Sequence, residues 1–118
     1  MSLIFKICGE AEWRTAERQG VYRGSAVDER DGFIHFSTAA QLAETAAKHF
    51  AARDDLLLIA VEAEALGSGL RFEPSRGGAL FPHLYGALPM EAVRFVEAMP
   101  LGADGIHLLP SPRRLQSP

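Results

Sequence analysis

Residues 56–62 read LLLIAVE, six apolar side chains without a polar break. A strand sends successive side chains to opposite faces, so a run like this is a strand only where both faces are covered. The rest of the chain must therefore supply apolar material to two sides of one segment. Elsewhere the pattern alternates. SLIFKIC, 2–8, places Leu3, Phe5 and Ile7 on one face and Ile4, Lys6 and Cys8 on the other. GFIHFST, 32–38, puts Phe33, His35 and Ser37 on one face and Ile34 and Phe36 on the other. LRFEP, 70–74, opposes Leu70 and Phe72 to Arg71 and Glu73.

Two helices are expected, both in the N-terminal half. EAEWRTAERQ, 10–19, carries acids early, where the helix dipole favours them, with Trp13 and Ala16 as its buried stripe and Gly20 as its stop. The second starts at Thr38, which has capping-box spacing to Gln41, and Leu42, Ala46, His49 and Phe50 share one face. Between them, 20–32 holds three glycines and no periodicity, and is expected to be a loop that ends in the Asp31-Gly32 turn. SRGGALFPHLYGALP, 75–89, is too rich in chemistry for a linker and too broken for a helix. Val93, Phe95 and Val96 favour a strand over 91–98, and DGIHLLP, 104–110, repeats the design of an Asp-Gly turn followed by a strand. SPRRLQSP, 111–118, is expected to be a mobile tail. Five or six strands, with helices grouped early rather than alternating, indicate an α+β fold, mostly antiparallel, in a single domain over 1–110.

A chain of 118 residues suits one domain. A net charge of −3 gives no bulk attraction to nucleic acid. The lone Cys8 excludes an internal disulfide and any CxxC motif, so a reducing, cytoplasmic setting is expected. No apolar run approaches the ~20 residues that span a bilayer, so no membrane partner is expected. GxSxG, the P-loop, GxGxxG and HExxH are all absent. His35, His49, His83 and His107 lack zinc-like spacing, so no metal is expected.

Four elements are left to carry chemistry. His35 and Ser37 share a strand face, as do Arg71 and Glu73; Ser75-Arg76-Gly77-Gly78 is a glycine-rich loop with a cation; Phe81-Pro82-His83-Leu84-Tyr85-Gly86 sets an imidazole and a phenol two apart. Each has a plain structural reading: a satisfied strand histidine, a solvated face, a turn, an aromatic cap on the core. A functional reading requires several of them to meet in one cleft.

Taken together, DGFIHFS, RFEPSRGG and FPHLYG resemble an uncharacterised bacterial and plant family, the domain of unknown function numbered nine-five-two, from about Leu3 to Leu109. That family looks like a compact variant of the ADP-ribosyltransferase fold, which implies a bent, split sheet with a cleft for NAD. FIHFS is similar to the end of a His-x-His-x-Ser-like strand in related RNA 2′-phosphotransferases, which implies His35 and Ser37 on the cleft wall. The resemblance implies Lys6 where such folds carry a ribose-gripping His or Arg, and Glu73 as a candidate counterpart of an acidic catalytic residue. Lysine is a point charge and not a planar fork, a departure that favours binding over turnover.

Three functions are consistent with these residues. The first is a transferase or hydrolase acting on NAD, ADP-ribose or a phosphorylated RNA end. His35, Glu73 and His83 would be its catalytic groups; Lys6, Ser37, Arg71, Arg76, Gly77, Gly78 and Tyr85 would bind ligand. No cofactor is required, and NAD enters as ligand or substrate. The second is a non-catalytic module that binds a small anionic or nucleotide-like ligand in the same cleft. The third is a structural or interaction protein.

Overall fold

The apolar run forms the middle of a sheet. In the computed structural model, which describes residues 2–116, β1 (Leu3–Gly9) pairs antiparallel with β4 (Leu56–Glu62), and β4 pairs antiparallel with β8 (Val93–Ala98). Leu57, Ile59 and Val61 of β4 enter one core with Ile4, Cys8, Trp13 and Tyr22. Leu56, Leu58 and Ala60 enter another with Phe5, Ile7, Leu42, Ala46 and Met99. Both faces of β4 are thus covered, as a six-residue apolar run requires.

The layers that cover it come from the expected helices. Helix α1 (Glu10–Gln19) buries Trp13 and Ala16 and ends at Gly20, whose φ of 83° is the left-handed cap. Helix α3 (Leu42–His49) follows a 3₁₀ turn over Ala39–Gln41, where Gln41 Oε1 accepts from the Thr38 N–H at 3.0 Å. It buries Leu42 and Ala46, while His49 is exposed.

A second antiparallel sheet has the order β3 (Ile34–His35), β6 (Leu80–Leu84), β5 (Leu70–Pro74). Strands β2 (Val21–Tyr22) and β7 (Leu88–Pro89) make a two-stranded ribbon. The two larger sheets touch where Phe5 and Ser37 exchange a pair of 2.8 Å backbone hydrogen bonds. Among the described residues this is the one bridge between β1 and the segment that continues β3. The molecule is a single compact α+β domain with a Cα radius of gyration of 13.4 Å, the value its length predicts for one body.

Three expectations change. The loop over 20–32 contains β2 and a six-residue helix, α2 (Ala26–Asp31). Its AVDERD sequence has no apolar stripe to reveal it. What starts it is a reciprocal cap: Ser25 Oγ accepts from the Asp28 N–H at 3.3 Å, and Asp28 Oδ2 accepts from the Ser25 N–H at 2.8 Å. Gly24 is obligatory beside it, since φ is 107° and a Cβ would lie 2.7 Å from that of Asp28. Residues 80–84 form the central strand of the second sheet despite Pro82, which cannot donate to a ladder. The Pro82 carbonyl accepts instead from the Phe36 N–H at 2.9 Å. DGIHLLP is not a strand but a turn with a single Leu101–His107 bridge. Within the 111–118 tail, Pro112–Gln116 form a short helix, α4, with Leu115 in the second core; residues 117–118 lie outside the described residues.

Candidate functional site

Beyond the Phe5–Ser37 bridge, a cleft of about 510 Å³ is lined by the C-terminal half of β1, helix α2, the β3 segment, and Thr45 and His49 of α3. Lys6, His35, Ser37 and His83 all line it. His35 and His83 are paired across β3 and β6, with ring centroids 5.6 Å apart. The histidine of FIHFS and that of FPHLYG therefore meet.

Each imidazole is held by a carboxylate. His83 Nδ1 lies 2.8 Å from Glu73 Oε1, an oxygen that also accepts from Tyr85 Oη at 2.7 Å. Tyr85 first, and His83 second, hold the Glu73 carboxyl below its ordinary value. The same hydrogen bond pushes the Tyr85 phenol up. Phe33 stacks on His83 at 4.0 Å and 26° between planes, which fixes the ring from its face. His83 is 4% exposed, so its orientation is set by protein and not by solvent.

His35 is held by Asp28, which sequence reasoning missed. Asp28 is 2% exposed. Its Oδ1 accepts from the His35 N–H at 3.1 Å and lies 2.6 Å from His35 Nδ1; its Oδ2 accepts from Lys6 Nζ at 2.8 Å. Burial by itself would raise this carboxyl, but the His35 hydrogen bond and the Lys6 charge outweigh it and hold Asp28 well below the usual aspartate range. The Ser25-x-x-Asp28 spacing was the available signal, because it marks a helix start and so fixes where Asp28 sits.

The other expected ligand-binding residues divide. Lys6 lines the cleft, but its ammonium is committed to Asp28. Ser37 shares its hydroxyl with Thr45 at 2.9 Å. Glu73 and Tyr85 stand behind His83, outside the cleft lining, and Arg71 lies over the Tyr85 ring at 5.1 Å. Gly77 and Gly78 form a turn whose Gly78 N–H is used by the Ser75 carbonyl at 2.8 Å, so that N–H does not cradle a phosphate. The Arg76 side chain lies outside what the structure describes.

Arg30, Asp31 and Arg53 also line the cleft and were not anticipated. The Arg53 guanidinium packs against β1, where a Cβ on Gly9 would lie 3.0 Å from Nη2. Its backbone carbonyl accepts from His107 Nε2 at 2.6 Å. Cys8 also lines the cleft, but burial first and the Glu12 carboxylate second push its thiol up to about 12. It is therefore no thiolate nucleophile near neutrality. Among the described residues no three His, Cys, Asp or Glu side chains converge to hold a metal ion. No helix there is long and apolar enough to cross a membrane.

Residues 7–96 match the family model described as "Protein of unknown function (DUF952)". The chain belongs to the DUF952 family. It is similar to protein CC0527 of Caulobacter crescentus, a structural-genomics target. Against its crystal structure the identity is 50% over 97% of this chain and 98% of that one, with a TM-score of 0.89. Against its solution NMR structure the identity is 53% over 90% and 91%, with a TM-score of 0.81. No curated protein matches the chain. The cleft-lining residues from Ile7 to His83 all fall within the DUF952 match, as do Glu73 and Tyr85 behind them.

Proposed function

We propose that the cleft between β1 and β3 binds a small anionic ligand of the nucleotide type, such as NAD or ADP-ribose. The observation that carries this is the pair of carboxylate-held imidazoles, His35 on Asp28 and His83 on Glu73, side by side on one wall. Two oriented rings in a half-enclosed space are suited to phosphate and ribose oxygens. Arg30 and Arg53 supply positive charge at the cleft. Their partners Asp31 and Asp55 are surface carboxylates, and such pairs, worth ~0–1 kcal/mol, are readily redirected to a ligand. An ADP-ribosyltransferase-like arrangement fits this reading, since the cleft opens where the two sheets part.

The Glu73–His83 hydrogen bond supports a second reading, slow hydrolysis of an N-glycosidic bond. Glu73 would act through His83 as a positioning residue. His83 Nε2 would take the proton of a water that attacks the ribose carbon as the base departs.

A thermal-shift panel of NAD, ADP-ribose and phosphorylated nucleotides tests the binding. At a hundred times the dissociation constant a ligand should stabilise the fold by ~2.7 kcal/mol. A flat response to the whole panel would remove the nucleotide reading. Release of nicotinamide from NAD separates turnover from binding alone.

A further inference from the structure

The Asp31 carboxylate is gripped from two sides. His35 Nε2 lies 3.0 Å from Asp31 Oδ2, and Arg30 Nε lies 3.2 Å from Asp31 Oδ1. The other nitrogen of His35 is taken by Asp28. A ring facing a carboxylate at each nitrogen donates to both only when it carries both protons. Its two partners differ. Asp28 is buried and already neutralised by Lys6, whereas the Asp31 side chain is a third exposed at the cleft wall. Lys6 cancels Asp28 and Arg30 cancels Asp31, so a displaced Asp31 leaves an uncompensated cation at the cleft wall. A guanidinium and an imidazole N–H converging on two oxygens of one anion is a donor set that suits phosphate as well as carboxylate.

We propose that Arg30 and His35 Nε2 form a phosphate subsite of the cleft, and that the Asp31 carboxylate occupies it when no ligand is bound. This rests on the reading of the cleft as an anion site and adds where the phosphate goes and what it displaces. Arg30 is 72% exposed at its side chain, so it stays to meet an incoming phosphate without crossing packed core. A phosphate group spreads its charge over two or more terminal oxygens and meets both donors at once, so it competes with the Asp31 carboxylate for them.

The test titrates inorganic phosphate, AMP and ADP-ribose into wild type, Asp31→Asn, Asp31→Ser and Arg30→Gln, with ¹⁵N resonances of the His35 ring as the readout. Removing the internal carboxylate should tighten phosphate and AMP about fivefold, and Arg30→Gln should weaken them by a similar factor. The His35 Nε2 resonance should move on titration, which a merely structural role for Asp31 does not produce. A response of AMP without inorganic phosphate, or of both together, supports the subsite and tells a nucleotide's phosphate from the free ion. If wild type binds AMP but both Asp31 variants bind it no tighter, the subsite is overturned while the cleft reading stands. If no probe binds wild type or any variant, both fall.

Discussion

β4 and β6 are each the central strand of a three-stranded antiparallel sheet, yet they are built from different material. β4 is LLLIAV with every one of those six residues buried, three into each core. β6 is LFPHL: exposed at Leu80, interrupted by Pro82, and carrying a buried imidazole at His83. Its partner β5 leaves Phe72 half exposed. One sheet is thus an apolar partition between two cores. The other tolerates a proline and a polar ring because Pro82 O, Glu73 and Phe33 satisfy what would otherwise be lost. The cleft opens where the rigid sheet and the polar one separate, so one wall is held by packing and the other by hydrogen bonds.

Substitutions can break this contrast in graded steps. The largest effect is expected where a charge links the two sheets: Lys6→Met leaves Asp28 buried without its cation. It should cost roughly 3–5 kcal/mol in urea unfolding. Leu58→Ala, at a site with no solvent exposure, should cost roughly 2–5 kcal/mol from lost burial and the cavity left behind. Phe72→Ala, in the polar sheet, should stay within about 0.5 kcal/mol, because half the ring is already in water. A loss at Phe72 as large as that at Leu58 would erase the distinction between the sheets.

The same linking group gives a pH signature. Asp28 is held below its unfolded value, so the unfolded chain binds more protons in acid. Its contribution is full above the ordinary aspartate value of about 3.9 and fades as pH falls below it. Unfolding midpoints from about pH 5 to pH 2 should drop in wild type and flatten in Asp28→Asn, after the neutral-pH loss of that variant is subtracted. The smallest change in stability belongs to Glu73→Gln, since the amide oxygen keeps an acceptor for His83 and Tyr85. Its midpoint should match wild type, while the His83 ring resonance moves because Nδ1 has lost its carboxylate.

Much of the partition was legible in the sequence, because packing leaves a pattern. LLLIAVE had to be covered on both faces, Trp13 and Ala16 had to be the inner stripe of α1, and Thr38 with Gln41 marked a helix start. The polar sheet was less legible for equally physical reasons. Pro82 masks a strand, since propensity penalises a residue that here needs no ladder donor. AVDERD hides a helix whose one buried group is a charged aspartate and not an apolar residue. His35 and His83 were named as candidates for a shared cleft, and cross-strand pairing does bring them together. The carboxylate behind His35 was not named, because contact between residue 28 and residue 6 depends on how α2 folds back over β1. Gly77 and Gly78 looked like a phosphate cradle in one dimension, and in the fold the Gly78 N–H is taken by the Ser75 carbonyl.

The most direct measurement is a ¹H–¹⁵N histidine side-chain spectrum recorded as ADP-ribose is added. A ligand seated against the wall formed by the two carboxylate-held rings should move the His35 and His83 resonances together, with one common dissociation constant. Four histidine signals that stay in place through millimolar ADP-ribose, AMP and NAD would contradict the account.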